Sequence, residues 1–363
     1  MIEYPFIKMF KSFSKLYKEK HLGRWYNFLN MKKIAIIGSG TWGTALANLF
    51  ATHGHLISLW SRSEADTLNL KMTRRHKFLE DVLLSENIYF TSDLEEAIKG
   101  KEIVILAVPS IAIREVSNKI KPYLERGQII ISVAKGIELD TLMTMTEVIE
   151  DVIGKGYEVL ALSGPTHAEE VIKGLPTLIV CAGKNRETRK MIMEDLSNEV
   201  LRIYTNHDML GVEICGALKN IVALASGMAE GLGYGDNAKA GIITRGLHEI
   251  RRLGIAMGCE EETFYGLSGI GDIVVTAESN NSRNHNAGVL FGKGLKEEEV
   301  KEKVGMVIEG INALESAKKL EAKYNVELPI IDVVYNIIRN KLDVTDAINS
   351  LFGRKKKNEI KDY

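Results

Sequence analysis

Cysteine is scarce in this chain of 363 residues. Its three cysteines, Cys181, Cys215 and Cys259, lie more than thirty residues apart, and no Cys-x-x-Cys pair occurs. An odd number spread so thinly does not build a disulfide framework and fits a reducing compartment, so a cytoplasmic protein is expected. No metal-ligand set is expected either. An excess of either charge is also lacking. The 47 Lys and Arg against 48 Asp and Glu leave a formal net charge of −1. That gives no whole-molecule bias towards nucleic acid or membrane, so an anionic ligand has to be caught by a local basic site. No apolar run approaches the roughly 20 residues of a membrane-spanning helix, and stable membrane insertion is not expected. Internal repeats and low-complexity segments are missing, apart from a charged tail at 354–363.

The remaining composition is that of a packed globular protein, 45% apolar and 26% charged. The chain is too long for one ordinary core, and two domains are expected. The first thirty residues differ in kind. They carry Lys8, Lys11, Lys15, Lys18, Lys20 and Arg24 against Glu3 and Glu19, with Phe6, Phe10, Phe13 and Tyr17 at helical spacing. A basic amphipathic arm for a membrane surface or a partner is one reading. The favoured one is an appendage ahead of a domain that starts at Met31.

From Lys33 to about Tyr204 short β-branched runs alternate with helical stretches. The candidate strands are Ile34–Ile37, Leu56–Trp60, Ile103–Ala107, Gln128–Ser132, Val159–Leu162, Thr177–Cys181 and Leu201–Tyr204. The first four are almost wholly apolar, as parallel strands covered on both faces are. After His207 the strand signals stop, and Leu210–Gly231, Ile242–Met257, Lys296–Val304 and Ile311–Tyr324 read as helices. The expected class is α/β, a doubly wound sheet over 31–207 followed by an all-α domain over 208–353, with ligands at the carboxyl ends of the strands.

The first strand runs into Gly38-Ser-Gly40-Thr41-Trp42-Gly43 and then a helix. Gly-x-Gly-x-x-Gly in that setting is the Rossmann dinucleotide fingerprint: a tight turn, a close backbone approach to pyrophosphate, and close helix packing. The helix N-terminus adds free N–H groups and a positive dipole end. At the end of the second strand Arg62 and Ser63 stand where an acidic residue would hold a ribose hydroxyl. An arginine there can pair with a 2′-phosphate, which leans to NADP and leaves NAD open.

Lys219 is the conspicuous residue of the second half. The stretch Val212–Ala229 is apolar or small nearly all round, so it reads as a buried helix, where lysine is seldom found unpaired. Gly216, Asn220, Ala223, Gly227 and Gly231 form a stripe of small residues, where another helix or a ligand can come close. Lys135 follows the fourth apolar run at the binding edge of the sheet. Thr166 and Glu169 have the spacing of a capping box, which makes 164–166 a loop before a helix. Asp272 follows a glycine turn, and Ser282-Arg283-Asn284 sits in a polar cluster suited to a phosphate. Lys135, Lys219 and Arg283 supply three cations for an anionic substrate.

Together these segments resemble the bacterial-type NAD(P)-dependent glycerol-3-phosphate dehydrogenase family from Met31 to about Gly353. The matching stretches are 38–47, 133–137, 162–170, 216–220, 236–240, 243–247, 269–272 and 282–284. The resemblance implies reversible reduction of dihydroxyacetone phosphate to sn-glycerol 3-phosphate for glycerophospholipid synthesis, by a homodimer. It implies Lys219 as proton donor and acceptor, and Lys135, Gly164, Thr166, Asp272, Ser282, Arg283 and Asn284 as substrate residues. For the cofactor it implies Thr41, Trp42, Arg62, Ser63, Lys135, Ala168, Arg283, Val307 and Glu309, beside the turn glycines Gly38, Gly40 and Gly43. Cys215 departs from the family pattern, and a reactive thiol there would make the enzyme oxidation-sensitive. Two rivals stay open on residues alone, a 3-hydroxy-acid dehydrogenase and a catalytically silent dinucleotide sensor.

Overall fold

The computed structural model describes residues 31–79, 81–356, 358 and 359. The basic N-terminal segment lies outside the described residues. The first layer is an eight-stranded sheet of β1 (Lys33–Ile37), β2 (Leu56–Trp60), β3 (Ile88–Thr91), β4 (Ile103–Leu106), β5 (Ile129–Ser132), β6 (Glu158–Ser163), β7 (Thr177–Gly183) and β8 (Leu201–Asn206). Their spatial order is β3-β2-β1-β4-β5-β6-β7-β8. The strand order turns at β1, which leaves a crevice at the carboxyl ends of β1 and β4. Side chains of β1 alternate between two cores: Ile34 and Ile36 on one face, Ala35 and Ile37 on the other. That double burial is why the strand is apolar throughout rather than alternating.

All pairs are parallel except β6 with β7. Residues 164–176 join these two through a loop and the one-turn helix Ala168–Val171, and no full crossover helix covers the sheet face there. The seven expected strands are present with ends shifted by a residue or two. β3 was missed. It is a four-residue edge strand whose Tyr89 is 52% exposed, so it carries neither a long apolar run nor a clean alternation.

The second layer is helical and is built round Met209–Gly231. The Asp208 side chain caps it by accepting from Gly211 N at 2.9 Å. Helices Asp236–Ala256, Asp272–Glu278, Arg283–Gly292, Glu309–Tyr324 and Pro329–Arg339 pack round it. The expectation of no membrane-length apolar helix needs correcting, because this central helix is long and apolar enough to cross a bilayer. Its apolar face instead meets other helices, and 94% of its most apolar stretch is buried inside the protein.

The small-residue stripe receives a helix. A Cβ on Gly227 would stand 2.1 Å from the carbonyl oxygen of His285, and one on Gly288 would stand 2.2 Å from that of Leu224. Each glycine therefore makes room for the backbone of the other helix. The helices Asp272–Glu278 and Arg283–Gly292 were not foreseen, because their first residues read as a glycine turn and a polar loop.

Candidate active site

The turn after β1 has the shape a dinucleotide needs. Gly38 has φ of +121°, and a Cβ on it would lie 2.5 Å from the carbonyl oxygen of Ala107. No other residue fits there. Gly40 faces open space, with nothing within 4 Å of its Cβ position. It is the N-cap of Thr41–Thr52, and that helix start has no side-chain cap and no acidic residue in its first turn. Backbone donors at Thr41, Trp42 and Gly43, a positive dipole end and an unobstructed approach suit a pyrophosphate.

Arg62 stands exposed at the end of β2. Ser63 also has a structural task, since its hydroxyl accepts from Asp66 N at 3.1 Å and caps the next helix. Ala168 is buried as the first residue of its short helix. Arg283, Val307 and Glu309 are brought to one neighbourhood. Arg283 Nη1 donates to the Val307 carbonyl at 3.3 Å. The Glu309 carboxylate accepts from Ser110 N at 3.1 Å and Ser110 Oγ at 2.6 Å. Ser110 was missed by sequence reasoning. Its position just past β4, at the carboxyl edge of the sheet, was the available signal.

The lysines meet on one carboxylate. Lys219 Nζ donates to Asp272 Oδ1 at 2.5 Å, and Lys135 Nζ donates to Asp272 Oδ2 at 2.6 Å. Asp272 is 1% exposed and Lys219 6% exposed. Lys219 also donates to Thr276 Oγ1 at 2.5 Å, and that hydroxyl donates to the Asp272 carbonyl at 2.6 Å. Thr276 was missed as well. It lies one helical turn after Asp272, a spacing visible only once the helix is known. Burial pushes the pKa of Lys219 down, Asp272 opposes this and Lys135 adds to it, giving about 7.

Lys135 reaches a second acceptor, the carbonyl of Gly164, at 3.0 Å. Thr166 Oγ1 donates to that same carbonyl at 3.2 Å. The capping box expected at Thr166 and Glu169 is therefore absent. The helix starts at Ala168 with His167 as its uncapped N-cap residue, and the threonine hydroxyl turns back to close the loop. At the phosphate cluster the Ser282 hydroxyl caps Arg283–Gly292 by accepting from His285 N at 3.2 Å. Asn284 Nδ2 donates to Asn220 Oδ1 at 3.0 Å, which places it beside the residue next to Lys219.

The expectation of a reactive Cys215 is overturned. It is fully buried on the inner side of the central helix, and burial holds its thiol well above the usual range. A thiolate does not form readily there.

A dinucleotide turn and a paired buried lysine, set at the same edge of one sheet and backed by a helical domain, define a nicotinamide-dependent dehydrogenase. Residues 33–189 match the N-terminal domain of NAD-dependent glycerol-3-phosphate dehydrogenase, and residues 208–349 match its C-terminal domain. The chain belongs to that family. It is 47% identical over 335 residues to glycerol-3-phosphate dehydrogenase [NAD(P)+] 2 of Lactobacillus delbrueckii subsp. bulgaricus, covering 91% of this chain and 99% of that one. It is 48% identical to the glycerol-3-phosphate dehydrogenase [NAD(P)+] of Fusobacterium nucleatum, covering 92% and 100%. The crystal structure of glycerol-3-phosphate dehydrogenase from Coxiella burnetii superposes with a TM-score of 0.86 at 34% identity, over 90% of this chain and all of that one. A D-mandelate dehydrogenase at 13% identity and TM-score 0.61 shares the fold alone. The chain is thus an NAD(P)-dependent oxidoreductase, and the hydroxy-acid and sensor rivals fall away.

Proposed function

We propose that Lys219 protonates the ketone oxygen of dihydroxyacetone phosphate as its carbon is reduced to sn-glycerol 3-phosphate, and takes the hydroxyl proton in reverse. One observation carries this reading: a lysine buried to 6% exposure, held by a carboxylate and a hydroxyl, with its pKa brought down to about 7. Such a group exchanges its proton readily near neutral pH, which is what a general acid and base requires. The nicotinamide, when bound, supplies or accepts the hydride. Asp272 orients both ammonium groups and keeps two like charges together. Lys135, Arg283, Asn284 and Ser282 hold the substrate and its phosphate, with Gly164 and Thr166 closing the other side.

The glycine turn holds the cofactor, and Arg62 favours NADP(H), with NAD(H) also used. The finer parts of this reading are a homodimer and a cytoplasmic enzyme feeding glycerophospholipid synthesis. They rest on the family resemblance, and light scattering on the purified protein tests the dimer. Lys219→Ala is expected to lower kcat by roughly 10²–10⁴ while leaving cofactor binding intact. The assay is NADPH oxidation on adding dihydroxyacetone phosphate. Turnover retained in that variant removes Lys219 from the chemistry.

A further inference from the structure

Glu213 is a carboxylate with no contact to the lysine cluster, yet it is 7% exposed and heavily bonded. It lies on the central helix six residues before Lys219, about 9 Å along the axis at ~1.5 Å per residue. Its oxygens accept from Thr144 Oγ1 at 2.8 Å, Thr146 N at 2.9 Å and Thr146 Oγ1 at 2.5 Å. These donors belong to the sheet domain, at the start of helix Met145–Ile153. That helix already has a cap of its own, since the Glu147 carboxylate accepts from Thr144 N at 2.8 Å. Glu213 adds to that cap from the central helix, meeting the N–H of Thr146, a first-turn donor with no acceptor inside its own helix.

The donors sit at the end of the segment that carries Lys135. After Lys135 the chain makes a hairpin in which Ile137 bridges to Thr144. Glu138 N donates to the Met143 carbonyl at 2.9 Å, and Leu142 N to the Glu138 carbonyl at 2.9 Å. Gripping Thr144 thus grips a single bridge whose other residue, Ile137, lies two residues from Lys135. The circuit closes through Asp272, which holds Lys135 and Lys219 together.

We infer that Glu213 is a positioning residue for the reaction, clamping the Lys135 hairpin to the lysine helix and so setting the separation of the two lysines. The inference rests on Lys219 as the general acid and base. A carboxyl group suits the task because its two oxygens take three donors at once in a fixed direction; burial raises its pKa to about 7, and the three donors oppose that rise by favouring the carboxylate. The helix N-terminus adds a favourable dipole end.

The test is steady-state kinetics of the full chain with NADPH and dihydroxyacetone phosphate. For Glu213→Ala a fall in kcat of roughly ten- to a hundredfold is expected from misplacement of catalytic groups, with the KM for NADPH unchanged. Glu213→Gln keeps the shape and one acceptor oxygen, and should recover part of the loss. Thr146→Val removes a hydroxyl donor while keeping the backbone N–H, so it gives a milder fall in the same direction should Glu213→Ala not fold. A lowered melting temperature with unchanged kcat would mean a merely structural carboxylate and overturn the inference. Parallel loss of kcat and cofactor affinity would overturn it too. Lys219→Ala run alongside separates the ideas. Full turnover there sinks the general-acid role, whereas a crippled Lys219→Ala beside an intact Glu213→Ala sinks the clamp alone.

Discussion

Asp272 holds the two lysines from opposite oxygens, so removing its charge and removing one lysine should move the remaining chemistry in opposite directions. With Lys219 as the proposed acid, the reduction needs it protonated, and activity is expected to fall as pH rises through its pKa of about 7. Asp272 raises that pKa by favouring the ammonium, and Lys135 lowers it. An opposite charge at hydrogen-bond distance typically moves a pKa by about 1–3 units, or roughly 1–4 kcal/mol. Asp272→Asn should therefore shift the alkaline limb of the reduction about 1–3 units towards acid. Lys135→Met takes away a positive neighbour and should shift the limb towards alkali, even though loss of its proposed phosphate contact also lowers kcat/KM. The assay is the initial rate of NADPH oxidation at saturating substrate, followed across a pH range of about 4 to 9.5, with circular dichroism to confirm folding. Shifts of the same sign in both variants would refute the reasoning. So would a wild-type limb near the ordinary lysine value.

Gly227→Ala should destabilise the helical domain, since its Cβ would lie 2.1 Å from the His285 carbonyl oxygen. Overpacking of this kind costs about 1–3 kcal/mol or more, read as a melting temperature several degrees lower. Arg62→Ala should raise the KM for NADPH roughly ten- to a hundredfold through loss of a charged hydrogen bond, and leave that for NADH nearly unchanged. Equal effects on both cofactors would remove Arg62 from 2′-phosphate recognition. Cys181, Cys215 and Cys259 are all buried, so an aromatic disulfide reagent should leave the folded enzyme unmodified and fully active, with reaction beginning only in denaturant.

The apolar runs of β1, β4 and β5 declare themselves because both faces of the sheet are covered. The glycine turn declares itself because Gly38 admits no side chain. Lys219 was legible as a charge in an otherwise apolar helix. Its partners were less so. Asp272 and Ser282 open helices that look like loops in sequence, and the glycine pairing that lets Arg283–Gly292 settle there joins residues about sixty positions apart. Thr166 shows the opposite failure, a local signature for a cap that gave way to another local bond, from its hydroxyl to the Gly164 carbonyl two residues back. Glu213 gave no signal at all, since a glutamate at the start of a helix reads as ordinary until its three donors are seen.

Two lysines round one carboxylate leave the cluster without full charge balance when both are protonated, and burial with the Lys135 charge holds the Lys219 pKa well below the ordinary lysine value. A phosphate ester arriving beside it is a second anion, and a nearby anion favours the protonated lysine. Docking the ketone substrate therefore draws a fraction of a proton from solvent into the site before any hydride moves. The heat of binding should then vary with the ionisation enthalpy of the buffer. With Lys219 in the proposed role, the buried carboxylate couples substrate capture to loading of the acid that the reduction consumes.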